Sequence, residues 1–324
     1  MEYLLLLVGL VALTNIYIKF AFRYHIVDRP NNRSSHLKDT VRGGGIIFPI
    51  SALVWFIYSG FRFPLLFTGL LIISIISFWD DLSPVSHKLR LLVHFGAISL
   101  LFVEIQMSSL PWWSWFPALI LSVWTINAYN FMDGINGITG GYSLSVLIGI
   151  WMVNNYQVEF ISNDLIYFMM IPLIVFSYFN FRTKAKCFAG DVGSISIAYL
   201  IVFLLAKLII LSGNWLYILF LSIYGVDTLF TIVLRLIQKE DIFVPHRKHL
   251  YQLLVNELKI SHLKVAALYA LTQLIICLII FDELDKSKSL WSSLMTGASI
   301  IGILTIVFYW ARIQIYKKLK VIST

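Results

Sequence analysis

The 324-residue chain carries 13% charged residues against 59% hydrophobic ones, with a mean hydropathy of +0.83, too little polar surface to coat a soluble globule of its size. It belongs in a bilayer, as a single integral-membrane domain over residues 1–324. The net charge of +8 is spread over many short loops rather than gathered on one module. That distribution excludes nucleic acid and leaves anionic headgroups or a phosphorylated ligand as partners.

Apolar runs near the ~20 residues that cross ~30 Å of hydrocarbon as a helix recur from end to end. They fall at roughly 3–22, 43–60, 64–79, 89–107, 116–132, 138–153, 164–181, 194–212, 215–234, 263–281 and 290–311. These eleven runs predict an all-α polytopic protein. The first continues into Lys19 and Arg23 with no small-residue cleavage site and reads as a retained span. Orientation follows from Lys and Arg. With the N-terminus outside and the C-terminus cytoplasmic, only Arg62, Lys286 and Lys288 occupy outer loops, Lys19 and Lys207 fall within spans, and every other basic residue lies on an inner segment.

Polar residues at span ends are the informative ones, since each is costly at membrane depth without a partner. In chain order, the first inner loop, "RSSHLKDTVRGGGI", brings Arg33, His36, Lys38 and Arg42 ahead of Gly43, Gly44 and Gly45. Three glycines opening a membrane helix predict either close backbone approach by a partner or ligand, or simple flexibility of the helix end. Asp80 and Asp81 end the third span. Being adjacent on a helix they cannot both aim at one spot, so one acts while the other caps or braces. Arg90 and His94 stand one turn apart at the start of the fourth span, with Arg90 where a lipid phosphate would sit.

The fifth span ends in "AYNFMDGING", where Asn127, Asn130 and Asp133 follow an i, i+3, i+6 stripe and Gly134 and Gly137 allow a tight turn carrying Asn136. An amide can read a nucleobase edge, and a carboxylate beside an amide oxygen suits a hard cation. In "FAGDVGS", Asp191 stands between Gly190 and Gly193 before the eighth span, as a metal carboxylate bridging to phosphate or as a plain turn with a helix cap. Arg182, Lys184 and Lys186 nearby add phosphate affinity or reflect positive-inside bias alone. Asp227, in the inner half of the ninth span, pairs with Arg235 or anchors the inner face, and His246, Arg247 and His249 follow in "VPHRKHLYQLL". Cys187 and Cys277 fall toward opposite sides, which argues against a disulfide. Any one of these polar residues reads as a cap or a solvated loop residue. Their convergence on the cytoplasmic face, against scattered outer acids such as Glu159, Asp282 and Asp285, predicts one polar site.

The motifs "RSSH…RGGG", "DDLSPVSHKLRL", "NAYNFMDGINGI", "FAGDVGS" and "HRKHLYQLL", in that order, resemble the polyprenyl-phosphate N-acetylhexosamine-1-phosphate transferase family. The resemblance implies a ten- or eleven-span fold in a bacterial inner membrane with a cytoplasmic active site. It implies transfer of sugar-1-phosphate from a UDP-amino sugar to undecaprenyl phosphate, releasing UMP, with Mg²⁺ or Mn²⁺. By motif position Asp191 resembles the metal-binding aspartate, with Asn130 a second ligand. Asn136 resembles the uracil reader, supported by Asp133 and Asn127. Asp80 resembles the carboxylate that orients or deprotonates the acceptor phosphate, with Asp81 beside it. His249, with His246, Arg247 and Arg90, completes the phosphate site. The chain departs from the family where it often carries H-x-H-H: only His249 fits, Tyr251 and Gln252 taking the other positions. His94 stands where many members carry glutamine. "HRKHLYQ" looks like the branch that starts O-antigen and surface-polysaccharide chains rather than the phospho-MurNAc-pentapeptide translocase. A transporter of an anionic solute is the rival class, disfavoured by sites at one face instead of the midplane. Apolar outer faces leave a homodimer open.

Overall fold

The computed structural model describes residues 1–28, 39–241, 244, 246–286 and 289–323, with side chains through residue 319. Arg33, His36, Lys38 and Lys288, singled out above, lie outside the described residues. All eleven apolar runs are helical. In chain order the helices are α1 (Glu2–Arg23), α2 (Ile47–Tyr58), α3 (Pro64–Leu82), α4 (His87–Glu104), α5 (Trp115–Met132), α6 (Ile138–Tyr156), α7 (Asn163–Asn180), α8 (Gly190–Ser212), α9 (Ser222–Ile237), α10 (Leu250–Asn256), α11 (His262–Lys286) and α12 (Leu290–Ser323). Short 3-10 segments, Gly44–Ile46 and Trp215–Leu221, lead into α2 and α9. Helix α10 corresponds to no apolar run and occupies the long loop after α9. A two-stranded ladder, β1 (Val27–Asp28) against β2 (Thr40–Val41), was not expected from the sequence.

Among the described residues, α1, α3, α7, α8, the Trp215–Ile237 stretch, α11 and α12 are each long and apolar enough to cross a membrane. The protein is a multi-pass membrane protein. Helix α2 is shorter, while α4 and α5 carry more polar residues, including Arg90 and His94 in the first and Asn127 and Asn130 in the second.

Helix α8 is the centre of the bundle. It is apolar on every side and buried from Gly190 to Leu205, as expected of a helix surrounded by others. Helices α2, α3, α5 and α6 pack around it, and α1 and α12 are largely peripheral. Where α3 meets α8, Ser74 and Ser196 share a 2.8 Å hydrogen bond, the small-residue contact through which membrane helices approach closely.

The glycine run before α2 finds its close partner within the chain. Gly44 N–H donates to Phe188 O at 2.8 Å and Gly45 N–H to Ala189 O at 3.0 Å. A Cβ on Gly45 would lie 2.4 Å from Gly193 Cα, so only glycine lets the α2 entry lie against the start of α8. This contact brings Arg42 to Asp191.

Candidate active site

The C-terminal end of α3, the N-terminal turn of α4, the C-terminal end of α5 and the N-terminus of α8 meet at one end of the bundle. Asp81, buried at the end of α3, accepts from Asp191 N–H at 2.8 Å and Val192 N–H at 3.0 Å. It is a cap supplied by another helix, and a carboxylate there also meets the positive end of the α8 dipole. Arg42 Nε lies 2.6 Å from Asp81 Oδ1, and its Nη2 lies 3.1 Å from Asp191 Oδ1. Asp80 accepts from Val85 N–H at 2.6 Å and from Arg90 Nη1 at 2.7 Å, and its carboxyl also lies within hydrogen-bond reach of the Asp191 carboxyl. Arg90 Nη2 in turn lies 3.3 Å from Asp191 Oδ2. The adjacent aspartates thus act on one centre along two routes: Asp81 sets the backbone beneath Asp191, and Asp80 holds the arginine beside it.

Asn130 Nδ2 lies 3.4 Å from Asp191 Oδ2, and Ser194 Oγ donates to Asn130 Oδ1 at 3.2 Å. The carboxyl groups of Asp80, Asp81 and Asp191 face two guanidinium groups, Arg42 and Arg90. The Asp191 side chain keeps 11% of its surface open, and its contacts to Arg90 and Asn130 are the longest in the cluster.

The turn after α5 is built around Asp133 and Asn136. Thr139 Oγ1 donates to Asp133 Oδ1 at 2.6 Å. Burial pushes the Asp133 carboxyl up to about 7. Asn136 is buried, its amide donating to Arg182 O at 2.7 Å and its N–H to His262 Nδ1 at 3.3 Å. That amide nitrogen therefore holds the Arg182 segment in place. Asn127 is turned back on its own helix, donating to Val123 O at 2.7 Å.

The loop with His246 and His249 is bolted down from two sides. Asp227, fully buried, accepts from Leu250 N–H at 2.8 Å, Tyr251 N–H at 3.4 Å and Tyr269 Oη at 2.8 Å, and pairs with Arg312 Nη2 at 3.2 Å. His249 Nδ1 stands 3.8 Å from it. Of the two readings of Asp227, a structural anchor is observed rather than a pair with Arg235, with Arg312 of α12 as its cation. Arg235 instead bonds Glu240 and the Val244 carbonyl. On the other side Tyr251 Oη donates to Phe131 O at 2.9 Å, and the Phe131 and His249 rings stack with centroids 6.4 Å apart. Burial holds His246 down to about 4, so it is neutral near pH 7. Arg247 flanks these residues, half-buried.

This arrangement has known relatives. A family model described as glycosyl transferase family 4 matches residues 63–209, the stretch that carries Asp80, Asp81, Arg90, Asn130, Asp133 and Asp191. A probable undecaprenyl-phosphate N-acetylglucosaminyl 1-phosphate transferase of Bacillus subtilis (strain 168) is 28% identical over 271 residues, 77% of this chain and 75% of the relative. The undecaprenyl-phosphate alpha-N-acetylglucosaminyl 1-phosphate transferase of Thermotoga maritima is 28% identical over 251 residues, 73% and 75% of the two chains. Its counterpart in Escherichia coli (strain K12) is 26% identical over 290 residues, 77% and 76%. Over residues 63–209 the chain is similar to glycosyl transferase family 4.

The structure adds two residues to the expected set. Arg42 touches both Asp81 and Asp191. In the sequence it was one basic residue among several on inner segments, and its place before Gly43 was the only signal. Tyr251, read as a departure from a histidine pattern, joins the His249 loop to the Asp133 turn through Phe131. His94 is buried with Nδ1 unpartnered among the described residues, and no contact ties it to Asp191.

Proposed function

We propose that the protein transfers N-acetylglucosamine-1-phosphate from UDP-N-acetylglucosamine to undecaprenyl phosphate, at the cytoplasmic face of a bacterial inner membrane, releasing UMP. The observation that carries the reading is the convergence of Asp80, Arg90, Asn130 and Asp191, with Arg42, on one centre. The relatives' names supply the sugar and the lipid. The form of the "HRKHLYQ" segment favours the first step of O-antigen or another surface polysaccharide over the pentapeptide translocase.

In the reaction an oxygen of the lipid phosphate forms a bond to the sugar-linked phosphorus while the bond from that phosphorus to the UMP phosphate breaks. The lipid phosphate, with a second pKa of about 6, is already largely dianionic near pH 7, so repulsion between anions is the main obstacle. Arg90, held by Asp80, and Arg42, held by Asp81, supply fixed positive charge beside the reacting phosphates. Both Asp80 oxygens are engaged, by Val85 N–H and Arg90, which favours an orienting role over that of a base. His249 and Arg247 are assigned to the nucleotide-sugar phosphates and the Asp133 turn to the uracil side, with Asn127 held away by its bond to Val123 O and the Asn136 amide nitrogen committed to Arg182 O.

A divalent cation, Mg²⁺ or Mn²⁺, fits Asp191 with Asn130. Among the described residues no three Asp, Glu, His or Cys side chains form a closed cage. Mg²⁺ characteristically combines one or two protein oxygens with substrate phosphates and water, and a carboxyl group beside an amide oxygen suits it. With the Asn130 amide turned end for end, Ser194 Oγ can accept where it now donates. When bound, the ion would neutralise charge developing on the diphosphate.

The test is UMP release by purified protein from a panel of UDP-N-acetylhexosamines with undecaprenyl phosphate, with and without a chelator. Lipid-dependent, chelator-sensitive UMP from the N-acetylglucosamine donor is expected. Movement of nucleotide sugar across liposomes without UMP would overturn the proposal in favour of transport.

A further inference from the structure

At the end of the bundle away from Asp191, the loop between α2 and α3, the segment before α7 and the last turns of α8 enclose a cavity of about 320 Å³. Its lining includes three charges, Arg62, Glu159 and Lys207, together with Trp55, Phe63 and Ser162. Lys207 lies about 24 Å along α8 from Asp191 at ~1.5 Å per residue, so this cavity is no part of the site described above.

Arg62 and Glu159 are exposed, and Lys207 is the charge in unusual company. Lys207 is half-buried in a span that is otherwise apolar, where an ionised side chain is costly without a partner. Among the described residues, none of the three makes an ion pair, neither with one another nor with any other group. Glu104, at the same end of the bundle, is committed to the Leu65 and Leu66 N–H groups that begin α3. Lys207 finds only the Phe63 ring, its Nζ 5.2 Å from the centroid.

The turn beside it is also shaped at a cost. Phe61 and Phe63 hold left-handed backbones, φ 64° and 59°, on either side of Arg62. Packing keeps them there: Phe61 is edge-on to Phe56 at 5.2 Å, and Phe63 is edge-on to Phe203 at 5.2 Å.

We propose that this cavity binds the headgroup of a membrane phospholipid, with Arg62 and Lys207 on the phosphodiester and Glu159 on a primary ammonium. Two cations and one acid around a single cavity match the zwitterion of an ethanolamine phospholipid better than a bare anion. The location suits it, since the cavity lies at the end of the spans, where headgroups are, and opens beside apolar and aromatic side chains.

The experiment titrates detergent-purified protein with short-chain phosphatidylethanolamine, short-chain phosphatidylglycerol and inorganic phosphate. Bound lipid is read by native mass spectrometry and stabilisation by the thermal midpoint. Phosphatidylethanolamine should bind saturably and raise the midpoint. Lys207→Met and Arg62→Gln should each weaken it at least tenfold, Lys207→Arg should restore most of it, and Glu159→Gln should abolish the preference over phosphatidylglycerol. Transferase activity in the same detergent, expected within twofold of the parent because the cavity is remote from Asp191, shows that the variants are folded. Equal lipid binding by parent and variants, or none by either, would overturn the proposal. Stabilisation by inorganic phosphate as large as by lipid would overturn the lipid assignment and leave a free-phosphate site.

Discussion

Replacing Gly134 by alanine should loosen the joint between the Asp133 turn and the His249 loop. The added Cβ would lie 2.1 Å from Tyr251 Oη and 3.0 Å from its Cζ. Gly134 does not have a left-handed backbone, so the conflict is steric rather than conformational. Tyr251 is fully buried and cannot swing away without breaking its 2.9 Å bond to Phe131 O. Overpacking of this kind costs ~1–3 kcal/mol and a lost hydrogen bond ~0.5–1.5 kcal/mol, so the variant should lose about 2–4 kcal/mol. Tyr251→Phe alone should lose about 1 kcal/mol. Joined to Gly134→Ala, however, it removes the clashing oxygen and leaves contacts that a shift of a few tenths of an ångström relieves. The double variant should therefore be more stable than the sum of the single losses predicts, by ~1 kcal/mol or more. The assay is unfolding of the parent and three variants in one detergent, with UMP release measured beside it, since a displacement near 1 Å can cost ~10²-fold in rate. A Gly134→Ala protein as stable as the parent, or strictly additive losses, would refute the joint.

Asp81→Asn keeps one acceptor for the α8 N–H groups but loses the charge facing Arg42. It should reduce turnover ~10- to 100-fold while the protein remains folded; unchanged turnover would remove Asp81 from the positioning of Asp191. Asp227→Asn strands the buried Arg312 guanidinium and should destabilise by ~3–5 kcal/mol, and adding Arg312→Met should recover part of that in the same unfolding assay. For pH, Asp133 is raised to about 7, so between about 4 and about 7 the folded chain holds a proton the unfolded chain has released. On that group's account stability falls as pH rises across this window. Asp133→Asn should flatten the decline of the thermal midpoint between about pH 4 and 7, and an unchanged slope would assign the decline to another group.

The helices were legible because crossing a bilayer demands long apolar runs, and each run is a helix. Helix α10 was not, since seven residues in a polar loop carry no such signal and its N-terminus depends on Asp227, distant in sequence. Asp191, Asn130 and the Asp80–Asp81 pair stood out as polar residues where apolar spans end. The division of labour between the two aspartates did not, because it rests on where α8 begins in space. The role of Arg42 was hidden by the positive charge common to inner loops, and that of Tyr251 by comparison with a histidine pattern. The amides of Asn136 and Asn127 could each read a base edge, but Arg182 O and Val123 O partly occupy that capacity, which depends on neighbours distant or hidden in the sequence.

The most direct test is mass-spectrometric detection of the lipid product, N-acetylglucosaminyl diphosphoundecaprenol, made from UDP-N-acetylglucosamine and undecaprenyl phosphate by the parent protein and by Asp191→Asn. The account predicts product from the parent, lost on chelation and restored by Mg²⁺, and almost none from the variant at equal folded concentration. Product from Asp191→Asn near the parent level would contradict the placing of the reaction at Asp191, and no product from the parent with any UDP-N-acetylhexosamine would contradict the transfer itself.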